Sequence, residues 1–357
     1  MQTLLSPEFQ GTPDGEAAQD IVRKCVHCGF CNATCPTYQL LGDELDGPRG
    51  RIYLIKQVLE GAPVTRNTQQ HLDRCLTCLN CQTTCPSGVE YGHLVDIGRK
   101  IVDARVERPI LERTARALLR EGLTSPLFAP ALRAGQAVRG LLPPLLKDKV
   151  PPRAEDSRAD HAPRTDGPAP PISSRPPLRK VLVLQGCVQP ALKPNIDRAT
   201  ERVLQAAGIQ VVYAAGTGCC GAMRSHLGDQ QGGLDDMRRN IDAWMPLVAA
   251  DETLAIVSSA SACSLAIKEY GHALAADARY AQAAALISSR ARDLSELLPV
   301  LVPALEQRLR GEGRGRLAFH PPCTLQHGQA LRGGVEAQLR ALGFDVGVAD
   351  EGHLCCG

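Results

Sequence analysis

Two copies of one cysteine pattern restrict this chain more than anything else in it. Cys25, Cys28, Cys31 and Cys35 stand in CVHCGFCNATCP, and Cys75, Cys78, Cys81 and Cys85 stand in CLTCLNCQTTCP. Both read C-x2-C-x2-C-x3-C-P, and Cys75 follows Cys25 by 50 residues. Three thiolates at intervals of three residues wrap one corner of a [4Fe–4S] cubane. The fourth lies too far along the turn and points away; in two-cluster ferredoxins it serves the other cluster. The pattern therefore assigns Cys25, Cys28, Cys31 and Cys85 to cluster one, and Cys75, Cys78, Cys81 and Cys35 to cluster two. Pro36 and Pro86 have no amide hydrogen and are expected to end the local helical path and turn the chain away from the clusters.

Zinc sites and disulfides also consume thiols, but each leaves a different mark. A structural zinc site uses four ligands, usually as paired C-x2-C units, and has no need of a third cysteine at the same interval followed by C-P, twice over. Disulfides would suit an exported protein, but residues 1–15 show no basic start followed by an apolar core, so no signal peptide is read. The 15 cysteines of the 357-residue chain therefore point to metal or redox chemistry in a reducing compartment. With 40 basic and 38 acidic residues the net charge is +2, which gives no argument for nucleic acid or a strongly anionic surface. No stretch approaches the ~20 apolar residues that span a bilayer. The expectation is a cytoplasmic protein, or one held peripherally on the inner face of the cell membrane.

Between the two motifs lies GPRGRIYLIKQVLEG, residues 47–61, in which Ile52, Ile55, Val58 and Leu59 share a helical face. A helix here, rather than a hairpin, resembles the α-helical ferredoxin domain of succinate dehydrogenase-type iron–sulfur subunits. Arg49 and Arg51 are read as solvated rather than as donors to cluster sulfurs, since exposed arginine is the norm. Residues 89–142 are mainly helical in pattern, with LVDIGRKIVDARV and LERTARALLREGL the clearest pieces; they either cover the clusters or form a docking face for a partner. Residues 143–177 hold ten prolines and few large apolar side chains, as an extended linker does.

Beyond that linker the grammar changes to alternating strand and helix, which argues for an α/β layer with a parallel sheet. RKVLVLQGC reads as a strand ending at Cys187, followed by a helix near 195–207. IQVVYAAG reads as a strand leading to Cys219-Cys220-Gly221, followed by a helix over 229–247, and TLAIVSSASAC as a strand ending at Cys263. GRLAFHPPC, a helix and DVGVAD repeat the opening of the series and lead from Cys323 to Cys355-Cys356-Gly357. Cys187 to Cys219 and Cys323 to Cys355 both span 32 residues, the mark of an internal duplication. Cysteines at strand ends gather on the sheet edge where ligand sites of open α/β folds lie. Buried, unreactive cysteine is the competing reading.

These residues resemble the cysteine-rich CCG domain of 2-hydroxy-acid dehydrogenase iron–sulfur subunits and heterodisulfide reductases. Such copies often close with a CxxC pair, whereas Cys263 is followed by Ser264, Leu265 and Ala266. The resemblance implies a further metal or redox role for Cys187, Cys219, Cys220, Cys263, Cys323, Cys355 and Cys356, and leaves open whether they hold an additional iron–sulfur centre. The expected fold class is thus α+β multidomain, an α-helical ferredoxin domain followed by a duplicated α/β CCG domain. Its expected parts are a ferredoxin portion at 15–100, helical cover at 101–142, linker at 143–177, CCG copy one at 178–270, connecting helices at 271–314, and copy two at 315–357. Copy two stops before the counterparts of copy one's last helix, last strand and Cys263, so the chain is expected to be a truncation lacking some 40–60 residues, by analogy with copy one.

The order of parts resembles the family of iron–sulfur subunits of bacterial glycolate oxidase (glycolate dehydrogenase), the opening CVHCGFCNATCPTYQLLGDELDGPRGRIYLIK most specifically. Subunits of lactate and anaerobic glycerol-3-phosphate dehydrogenases share it. No GxGxxG follows a strand and no P-loop is present, so the hydride-accepting flavin belongs on other subunits. The resemblance implies a carrier with no catalytic residue of its own, two [4Fe–4S] clusters, flavin-containing glycolate dehydrogenase partners and a quinone or membrane electron acceptor. The alternative is a catalytic subunit of heterodisulfide-reductase type, acting at the CCG cysteines.

Overall fold

A computed structural model describes residues 1–152, 180–309 and 314–355. Most of the expected linker, 153–177, and Cys356 and Gly357 lie outside the described residues. The chain divides into two compact units: Met1–Arg113 with Arg316–Gly333 and Val346–Gly357, and Thr114–Gly315 with Gly334–Asp345.

The first unit is helical. Helix α1, Pro13–Lys24, starts where the Thr12 hydroxyl accepts from the Gly15 amide, with Pro13 at its first position, acids in its first turn and Arg23 and Lys24 in its last. Each feature satisfies an orphan amide or opposes the helix dipole. The helix expected over 47–61 is α2, Pro48–Leu59, with Ile52, Ile55, Val58 and Leu59 buried as the periodicity requires. Helices α3, Arg66–Asp73, and α4, Tyr91–Arg105, complete the core. Ala18, Val22, Ile55, Leu59, Leu72 and Leu94 pack there in one cluster with the thiols of Cys25 and Cys81. Gly98 lets α4 approach α2: a Cβ on it would stand 2.6 Å from Ile55 Cγ1. Helices α5, Ile110–Thr124, and α6, Phe128–Ala137, follow the expected pattern and bury no residue; from Thr114 on they belong to the second unit.

The second unit is α/β. Strands β1 (Lys180–Val183), β2 (Gln210–Val212), β3 (Ala255–Ser258) and β4 (Ala291–Asp293) form one sheet in the order β2-β1-β3-β4, every pairing parallel. Successive side chains alternate between faces. Leu182 and Ile256 join the core of Trp244, Ile241, Tyr270 and Ile287, while Val181, Val183 and Val257 join that of Leu204, Ile209 and Leu301. Helices α7, Pro194–Ala206, and α8, Gln230–Ala250, cross between strands close to where the sequence places them.

Three expectations are corrected. The strands read as running to Cys187, Cys263 and Cys323 stop at Val183, Ser258 and Phe319, and Cys263 lies in the first turn of helix α9, Ser261–Lys268. The stretch 271–314, read as helices, contains strand β4. Ala-Arg-Asp has no apolar run to announce a strand, and only pairing with β3 defines it. Pro36 does more than end a path: it is the first residue of a new helix, Pro36–Leu41, a position that needs no amide hydrogen. In the stretch expected to be a second copy, β5 (Arg316–Phe319) and β6 (Asp345–Val348) form their own two-stranded sheet, with helix α10, Gly334–Ala341, between them in sequence. Among the described residues no helix is long and apolar enough to cross a membrane.

Candidate metal centres

The two motif loops share a backbone device. His27 and Thr77 occupy equivalent places before the second cysteine, and Gly29 and Leu79 equivalent places after it; all four have positive φ, at 58°, 51°, 82° and 60°. Left-handed residues alternating with ordinary ones turn successive amides towards one concavity, the backbone nest that receives anions and iron–sulfur groups. Three of the four are not glycine, and such strain persists only where the surroundings enforce it. Cys35 and Cys85 then follow a short helical turn in extended conformation.

The thiols fall into two neighbourhoods. Burial pushes Cys31 up to about 11, and the charges of Cys25, Cys85 and Cys28 add to it. Burial likewise pushes Cys78 up to about 11 against the opposing Asn80 amide, with Cys355, Cys75 and Cys35 as charged neighbours. Cys81 is raised by burial and by Cys75, Cys78, Cys31 and Cys35, so it faces both groups. Cys25, Cys28, Cys31, Cys81 and Cys85 line one cavity with Ile52 and Tyr91. An all-thiolate donor set in an apolar wall suits soft metals and iron–sulfur groups, and the residues present fit a [4Fe–4S] cluster. Crowding that holds thiols protonated without metal makes loading a proton-releasing step.

Around the second neighbourhood lies a polar framework. Tyr91, held protonated by burial, donates to Cys75 Sγ at 3.6 Å. Arg99 donates to the carbonyls of Leu72 and Cys75. Arg49 is partly exposed and pairs with Glu44 at 2.5 Å, but it also lines the cavity of Cys25, Cys28 and Cys31. Arg51 contradicts its solvated reading, because it is buried against Asp46, Thr37 and the Cys35 thiol. Asp46 is close to it in sequence, but Thr37, Cys35 and His71 lie 14, 16 and 20 residues away.

In the second unit the structure brings Cys187, Cys219, Cys220 and Cys263 together. Hydrogen bonds from Cys187 and Cys220, with the Gly221 and Met223 amides, hold the Cys219 thiol well below its ordinary range. Cys187 and Cys220 are pushed up as its donors, Cys187 first by that contact and then by burial. Asn240 Nδ2 donates to Cys219 O at 2.8 Å and Tyr270 Oη to Cys220 O at 3.0 Å. Gly221 has φ +92°, and a Cβ there would meet Gly233 O at 2.7 Å, so only glycine fits the third place of Cys219-Cys220-Gly221. Sequence reasoning misses Asn240 and Tyr270, because it follows thiols and not the carbonyl anchors behind them.

Cys323 and Cys355 belong to the first unit. Cys323 precedes the short helical turn Thr324–Gly328. Cys355 follows a segment fixed by Asn80 Nδ2 donating to His353 O at 2.8 Å and by buried His327, which contacts both Thr83 Oγ1 and His353 O.

A 4Fe-4S dicluster domain matches residues 21–89, and the cysteine-rich CCG domain matches residues 181–268. The glycolate oxidase iron–sulfur subunit of Escherichia coli (strain K12) is 51% identical over 358 residues, covering 100% of this chain and 84% of that protein. The probable glycolate oxidase iron–sulfur subunit of Bacillus subtilis (strain 168) is 31% identical over 300 residues, covering 77% of this chain and 64% of that protein. Lactate utilization protein A of Geobacillus thermodenitrificans (strain NG80-2) is 25% identical over 182 residues, covering 50% of this chain and 72% of that protein. No solved structure matches.

Proposed function

This chain belongs to the family of glycolate oxidase iron–sulfur subunits, and from that membership we propose that it is the electron carrier of a glycolate-oxidising complex, taking electrons from a flavin-bearing subunit and passing them towards a quinone. The observation that supports this reading is that all eight motif cysteines lie in the first unit, five of them lining one cavity. Cys25, Cys28, Cys31 and Cys85 hold one [4Fe–4S] cluster and Cys75, Cys78, Cys81 and Cys35 the other. Bound clusters supply one-electron oxidation and reduction at potentials set by charge, hydrogen bonds to sulfur and burial. The chain's own residues do the rest. The left-handed loops aim amides inward, Ile52 and Tyr91 keep water away, and Tyr91 and Arg51 address the sulfurs of Cys75 and Cys35. Cys187, Cys219, Cys220 and Cys263 hold a further iron–sulfur centre in the CCG portion, which we place at 178–270, after the ferredoxin portion at 15–100.

Iron and sulfide analysis of the full chain purified anaerobically tests this. About eight iron atoms from the two motifs are expected, with additional iron lost in a Cys219→Ser variant. Zinc in place of iron, without visible absorbance that bleaches on reduction, would refute it. The purified chain is expected to accept electrons from a flavoprotein partner but not to turn over glycolate alone. The close grouping of Cys187, Cys219, Cys220 and Cys263 favours a second reading, disulfide chemistry at the CCG cysteines; iron at that site with no disulfide reduction would exclude it.

A further inference from the structure

Arg51 is 1% exposed, among the largest fully buried side chains of the chain. Burying a guanidinium is costly unless its partners compensate. Its Nε donates to His71 O at 2.7 Å and one terminal nitrogen to Thr37 Oγ1 at 3.1 Å, both neutral acceptors. The other terminal nitrogen reaches Cys35 Sγ at 4.0 Å. The nearest carboxylate oxygen, of fully buried Asp46, is 3.6 Å away, too far for the forked pair that usually neutralises a buried arginine. Asp46 accepts instead from His71 Nδ1 at 2.9 Å and from Arg74 at 2.7 Å. The guanidinium therefore has one corner on the thiol, and its one carboxylate neighbour, Asp46, is shared with His71 and Arg74.

We propose that Arg51 is a positioning residue that raises the reduction potential of the cluster ligated by Cys35, and that Asp46 is the opposing charge that moderates it. The inference rests on the reading of Cys35 as a ligand. Reduction adds one electron to the cluster, and a fixed positive charge in a poorly screened interior stabilises the more negative state. Arginine does not lose its proton in proteins, so its charge is constant through the cycle. Asp46 acts with the opposite sign.

Potentiometric titration of the holo full-length protein, followed by EPR, tests this in Arg51→Gln, Arg51→Lys and Asp46→Asn. Arg51→Gln is expected to shift the signal that Cys35→Ser abolishes to more negative potential. A roughly tenfold loss of the reduced form at fixed potential would read as 59 mV for a one-electron couple. Arg51→Lys should restore most of that shift, and Asp46→Asn should move the same signal to more positive potential, with the other cluster unmoved. A purely structural role gives no such pair of opposite signs. No shift at unchanged iron content, shifts of the same sign, or equal movement of both signals would overturn the proposal. If Arg51→Gln loses iron, near-isosteric Asp46→Asn decides by its sign. Whether Cys35→Ser abolishes the same signal as Cys78→Ser or as Cys28→Ser reads the ligand assignment separately. A Cys35→Ser variant that keeps both signals would refute that assignment, whatever Arg51→Gln does.

Discussion

Asp46 shows how much of this protein rests on single buried groups that carry no mark in the sequence. Burial alone would raise its carboxyl, but hydrogen bonds from His71 and Arg74 outweigh burial and hold it below the ordinary carboxylate range. A carboxyl depressed in the folded state contributes stability that is complete above the unfolded value of about 4 and is lost as pH falls through the folded value. Acid denaturation of the first unit should therefore contain a limb, starting below about pH 4, that Asp46→Asn lacks. The same substitution should cost about 3 kcal/mol at neutral pH, because it leaves Arg51 and Arg74 without their counter-charge. Urea unfolding followed by circular dichroism across pH 2.5–7 checks both, and an unchanged acid limb in Asp46→Asn would be the contrary result. The eight motif cysteines announce themselves by interval alone. Arg51 does not, because Asp46 and His71 lie 25 residues apart and meet it only in the fold.

Helices are easier to read than strands here for a reason visible in their contacts. The face Ile52, Ile55, Val58 and Leu59 is periodic because α2 packs along its length, so the signal is repeated. Strand β4 has three residues and one neighbour, β3, and leaves no repeated signal. Cys263 reads as a strand end because Ala-Ser-Ala-Cys follows apolar residues smoothly; the chain turns helical two residues earlier. Glycines inside helices separate packing from propensity. On α4, Gly98→Ala would gain helix propensity of about 1 kcal/mol, but its Cβ would stand 2.6 Å from Ile55 Cγ1, and overpacking costs about 1–3 kcal/mol. On α5, the Cβ of Gly122→Ala would meet nothing within 4 Å. Thermal unfolding should show Gly98→Ala destabilised and Gly122→Ala stabilised, by about 1 kcal/mol each. Equal responses would mean that the α2–α4 contact relaxes freely.

The equal 32-residue intervals suggest a duplication, but the cysteine-rich match covers residues 181–268 alone, and nothing in the sequence tells how the segments after Gly315 divide between the two units. Asn80 meets His353 across 273 residues, a relation no local pattern carries. The two units also differ in what completes their cores. In the first, Cys25 and Cys81 belong to the buried cluster and Cys31, Cys75 and Cys85 pack against it, so under the proposed assignment the ligands are part of the core and metal binding contributes folding free energy. In the second, apolar side chains fill both faces of the parallel sheet. Trp244, the chain's single tryptophan, is fully buried in that second core. Its fluorescence therefore reports the second unit, while helical dichroism includes the first. A Cys28→Ser, Cys78→Ser double variant removes one ligand from each motif and leaves Cys187, Cys219, Cys220 and Cys263 intact. We expect it to lose part of the helical signal and to melt earlier by dichroism, the cost spread over the α1–α4 core. The midpoint seen by Trp244 fluorescence should stay where it is in the parent protein, since none of the altered ligands lies in its core. If Trp244 instead shifts in step with the dichroism, the two cores do not stand on their own contacts, and iron in the first unit would be holding the whole chain.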